Sequence, residues 1–120
     1  MINAELTSAI YKAIDEWEIT GDPVSLDLFN FVIRHPEKQM QLGVGINFDK
    51  PAFGARYVSS GRVAGKVDGQ EWFSDLTAQE AQAIHNRISA ELSKRNQVEA
   101  QRQRLENERA MAKFAAALMA

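Results

Sequence analysis

The residues able to do chemistry in this chain are few and poorly grouped. It has two histidines and no cysteine, so disulfides, thiol catalysis and thiolate metal sites are excluded. A helical pair of metal ligands needs a second donor one turn away. His85 has Ala81 and Ser89 at its four-residue neighbours and reads as a flank residue of a docked helix, while His35, before Pro36, reads as an exposed helix end. Ser59-Ser60-Gly61 lacks the glycine two places before the serine that a nucleophile elbow requires, and reads as a hairpin turn. Gly43-Val44-Gly45 starts like a dinucleotide fingerprint, but Phe48 stands at the third glycine position. The carboxylates Asp15, Glu16 and Glu18 fall on the solvated side of a first helix. No catalytic, cofactor-binding or metal-ligating residue emerges, and the chain reads as non-enzymatic; an enzyme would need a polar-lined pocket over Gly43 and Gly45.

Two constellations point to binding. Lys50, Arg56, Arg62 and Lys66 lie close in sequence to Phe53, Tyr57 and Trp72, and cations interleaved with aromatics on a sheet can grip single-stranded nucleic acid by charge and stacking. The order of elements is also similar to the double-stranded RNA-binding domain. That family needs a lysine cluster opening its last helix, whereas Thr77-Ala78-Gln79-Glu80-Ala81 offers one acid and no base. The second constellation is Val98, Leu105, Met111, Phe114 and Leu118, apolar positions in an otherwise polar C-terminal helix. An apolar stripe left in water is an association site. The chain is therefore expected to pair with itself, as a homodimer, or to dock a protein partner; nucleic-acid binding through 50–72 is the alternative.

The elements that position these residues follow from period and punctuation. Leu6, Ile10, Ala13, Ile14 and Trp17 recur at helical spacing and predict a helix over 3–18, ended by Gly21. Asp22-Pro23 looks like a helix start, with a second helix to follow over 24–33 presenting Val24, Leu28, Phe29 and Val32. A strand there competes, because Val24, Leu26 and Leu28 also alternate. Met40, Leu42, Val44, Ile46 and Phe48 alternate with polar residues and two glycines, predicting a strand with one bare face. Phe53, Ala55 and Tyr57, then Val63, Gly65 and Val67, continue the alternation across a turn at Ser60-Gly61, and Asp68-Gly69 signals a hairpin. The sheet is thus an antiparallel one of three or four strands over 39–73. Thr77 and Glu80 form a capping box opening a helix that carries Ala81, Ile84, Ile88 and Leu92 on one stripe. No glycine or proline follows Gly69, so this helix runs on for roughly 60 Å at about 1.5 Å per residue. Such a helix must project, fold back near Asn96 or pair with another molecule.

Composition bounds the class. The chain has 120 residues, 45% hydrophobic and 25% charged, typical of a globular protein rather than a disordered tail. Its net charge of −2 argues against a general polyanion binder. The sign is uneven, with an acidic N-terminal third and a mildly basic centre. The N-terminus lacks the pattern of a secretory signal and no stretch suits a membrane span, so a cytoplasmic location without membrane partners is expected. The expected fold is α+β, with N-terminal helices packed on a small antiparallel sheet and a long C-terminal helix. It divides into a head over 1–96 and a helical extension over 97–120. In size, absence of cysteine and layout the chain resembles small accessory proteins of phages and prophages, including inhibitors of host nucleases and defence systems. That resemblance, carried by layout and not by a motif, implies an adaptor or an inhibitor of a larger complex.

Overall fold

A computed structural model describes residues 2–25, 28–49 and 57–120. The arrangement is α+β: helix α1 (Ala4–Glu16), strands β1 (Glu18–Ser25), β2 (Leu28–Arg34), β3 (Met40–Asp49), β4 (Tyr57–Val67) and β5 (Gln70–Leu76), then helix α2 (Ala78–Met119). The strands pair antiparallel in chain order, a meander with β1 and β5 at its edges. The sheet is wider than the three or four strands expected.

The extra strands come from 18–34, where the sequence favoured helix. Phe31 and Ile33 are buried while Asn30, Val32 and Arg34 are exposed, a period of two. Pro23, a helix-start signal in the sequence, lies instead in edge strand β1 at the register shift between Asp22 and Ser25, positions where proline is tolerated. Gly21, expected to stop the first helix, faces Phe31 across the β1–β2 pair. A Cβ there would strike the Phe31 ring and lie 2.7 Å from the Asn30 carbonyl oxygen. Helix α1 stops earlier, at Glu16; Asn3 caps its start by accepting from the Leu6 amide at 2.7 Å.

Gly61 follows the same logic. It lies within β4 rather than in a turn, and a Cβ there would come 2.9 Å from the Ala81 Cβ. Glycine is needed for close approach to the first turn of α2. The turn falls later, at Asp68 (φ 50°) and Gly69 (φ 86°), as the Asp-Gly pair predicts. Phe53 and Ala55 lie outside the described residues.

The core gathers on one face of the sheet. Ile33, Leu42, Val44, Ile46 and Val63 are buried together with Ile10 and Ile14 of α1 and Ala81, Ile84 and Ile88 of α2. Ion pairing ties the helices, with Arg87 Nη2 donating to Asp15 Oδ2 at 2.8 Å and its guanidinium 4.6 Å from the Tyr11 ring centre. The chain divides into two compact units, Met1–Ser89 and Ala90–Ala120.

Candidate functional site

The start of α2 is built as its sequence predicts. The Thr77 amide donates to Glu80 Oε1 at 2.9 Å and the Glu80 amide donates to Thr77 Oγ1 at 3.1 Å, a complete capping box. The Ile2 amide donates to the other carboxylate oxygen, Oε2, at 2.9 Å. The Thr77 amide foremost, opposed by partial burial and helped by the Ile2 amide, holds this carboxyl below the ordinary glutamate range. From that cap α2 is unbroken to Met119.

Within α2 the pattern of exposure changes. Ala81, Ile84 and Ile88 are buried and Leu92 is half-buried, but every residue from Asn96 to Ala120 is exposed. Val98, Leu105, Met111, Phe114 and Leu118 are all among them, Phe114 at 66% and Leu118 at 71%. Met119 is exposed to 88%. Val98, Leu105, Ala112 and Met119 stand seven apart, the spacing that keeps one stripe facing a partner helix. Met111, Phe114 and Leu118, at three- and four-residue spacings of their own, form a second apolar face near the C-terminus, roughly a third to a half turn around the helix from Val98 and Leu105. Polar neighbours support the helix locally: Arg95 reaches Glu91 at 2.9 Å and Arg102 reaches Glu99 at 2.7 Å. The Glu99 contact raises the pKa of the Arg102 guanidinium.

The basic candidates are arranged less favourably. Lys50 and Arg56 lie outside the described residues. Arg62 and Lys66 point to the sheet face opposite the core, where each stands in register with an acid, Asp75 and Glu71. Arg62 Nε meets Asp75 Oδ1 at 3.1 Å and Lys66 Nζ meets Glu71 Oε1 at 3.7 Å. Arg62 also covers the Phe73 ring at 5.3 Å. Trp72 is on the other face, opposite Gly65, so the cations and this indole do not share a surface.

The remaining chemical candidates have structural partners. His35 follows β2 rather than a helix, and its Nδ1 accepts from the amides of Glu37 at 3.0 Å and Lys38 at 2.9 Å, holding the β2–β3 turn. His85 packs edge-on to Phe48 at 5.2 Å; burial foremost lowers its pKa, against a hydrogen bond with Asn86. Ser59 and Ser60 are strand residues, with Ser59 Oγ donating to the Asn47 carbonyl and Ser60 Oγ accepting from Asn47 Nδ2. Gly43 and Gly45 leave the face opposite the core bare, with Ala64 and Arg62 across from them. Among the described residues no group of three or more histidines and carboxylates is placed to hold a metal. No helix among them is long and apolar enough to cross a membrane.

Comparison with known proteins returns nothing: no family model matches the chain, and neither a curated protein nor a solved structure is significantly similar to it.

Proposed function

We propose that this is a small, non-enzymatic, cytoplasmic interaction protein that pairs with a second copy of itself through residues 97–120 of α2. The observation that carries this reading is the run from Asn96 to Ala120, fully exposed yet bearing Val98, Leu105, Met111, Phe114, Leu118 and Met119. Removing each large apolar side chain from water contributes about 1.5–3 kcal/mol. With the helix supported locally by pairs such as Glu99–Arg102, those apolar residues gain most by association. The seven-residue spacing favours a like helix as the partner. The head is then left to engage a target, as an adaptor or inhibitor does, in the manner of phage accessory proteins. Nucleic-acid binding draws less support, since Arg62 and Lys66 are offset by acids in register.

The test is size exclusion with light scattering on the full chain and on the double variant Leu105→Glu/Phe114→Glu. The proposal expects a dimer for the first and a monomer with unchanged secondary structure for the second. A full chain that stays monomeric up to high micromolar concentration would overturn self-association.

A further inference from the structure

The Met1–Ser89 unit carries a cleft of about 390 Å³ between α1 and the Met40–Val67 end of the sheet. That volume lies within the ~300–1,000 Å³ of small-molecule sites. Its walls are apolar: Leu6 from α1, Met40 and Leu42 from β3, and the indoles of Trp17 and Trp72. Its lining also includes Lys12, Glu16, Lys38 and His35.

The two indoles are placed there for identifiable reasons. Trp72 stands in register with Gly65, and its ring occupies the space a side chain at position 65 would fill. The missing Cβ therefore lets the indole lie against β4. Trp17 caps α1, its amide donating to the Ala13 carbonyl at 2.8 Å, and its ring meets His35 edge-on at 5.2 Å. His35 is fixed in turn by the two amides bonded to its Nδ1, an arrangement that places the hydrogen of the neutral ring on Nε2. Aromatic walls with a thioether suit a flat apolar body. Two lysines against one glutamate leave a net positive charge around it.

We propose that this cleft binds a small monoanion with an aromatic body, a carboxylate of the arylalkanoic type. Its ring lies between Trp17, Trp72 and Met40, and its carboxylate accepts from Lys12 and Lys38. The site draws on residues of the Met1–Ser89 unit alone and goes beyond the pairing reading.

Trp17 and Trp72 are the chain's two tryptophans, so intrinsic fluorescence reports on this cleft directly. The full chain is titrated with 3-phenylpropionate, with its neutral amide, and with 3-phenylpropylamine. The expected result is a saturable change with the carboxylate, binding about tenfold weaker for the amide because the charge-assisted contacts are lost, and no saturation with the amine. Lys12→Gln/Lys38→Gln alters two exposed side chains and should weaken the carboxylate about tenfold while leaving the amide unchanged. Equal affinity for acid and amide, or no saturable change with any of the three, overturns the assignment. A tryptophan signal that follows protein concentration and ignores the carboxylate also overturns it, since a second copy would then fill the cleft.

Discussion

Helix α2 is helical for one reason before Ser89 and for another after it. In its first turns Ala81, Ile84 and Ile88 are buried in a core shared with α1 and the sheet, and a capping box fixes the start. Tertiary packing decides the conformation there, as it does in most short helices. Beyond Asn96 no residue is buried, and the helix is sustained by good helix formers and by pairs such as Glu99–Arg102. Surface pairs of that kind contribute only about 0.2–0.5 kcal/mol each. The difference teaches that the length of α2 is not set by the core of the head, since its outer apolar residues are all exposed.

Substitution can break that contrast most sharply at matched aliphatic positions. Ile88→Ala removes a wholly buried side chain and should cost about 2–5 kcal/mol of head stability, read as a lower urea midpoint. Leu105→Ala, an equivalent truncation, should stay within about 0.5 kcal/mol for the monomer while weakening any dimer. Equal losses at the two sites in dilute protein would erase the distinction between the units.

A middle-sized effect is expected at the cap. Thr77→Ala deletes the hydroxyl that accepts the Glu80 amide and should cost about 1 kcal/mol, seen in the same urea titration. A loss near zero would place the start of α2 under the control of Ala81 and Ile84 alone.

The smallest effect is the pH dependence of Glu80. Its carboxyl is held below the ordinary glutamate range, first by the Thr77 amide and also by the Ile2 amide. A depressed folded-state pKa means that the stabilisation is fully present above the unfolded value, about 4.3 for glutamate. It is lost as pH falls through the folded value. Glu80→Gln should therefore flatten the stability profile below about pH 5. An unchanged acid slope would show that other carboxylates carry it.

The parts of this molecule legible in its sequence are those where one local signal acts alone. The alternation from Met40 to Phe48, the Asp68-Gly69 turn and the Thr77–Glu80 box each appear in the structure as written. The residues 18–34 were less legible because two signals conflict. Asp22-Pro23 mimics a helix start, and only the edge position of β1 makes proline harmless there. Gly61 misled for a related reason: beside Ser60 it looks like a turn, but it serves the approach of Ala81 across the sheet. Long-range contacts of that kind leave no periodic trace. The cleft was invisible for the same cause, since Trp17, His35 and Trp72 come from three separated segments and Gly65 reveals its use only once Trp72 is opposite it. The apolar positions proposed for association, Val98, Leu105, Met111, Phe114 and Leu118, are visible without the fold because they lie on one continuous helix.

Sedimentation velocity on the full chain and on a chain ending at Asn96, each over a wide concentration range, tests the central claim most directly. The account predicts a concentration-dependent dimer for the full chain and a monomer with a retained sheet signature for the shorter one. A shorter chain that dimerises as strongly as the full one would contradict it, and would move the self-association surface from the outer part of α2 to the head.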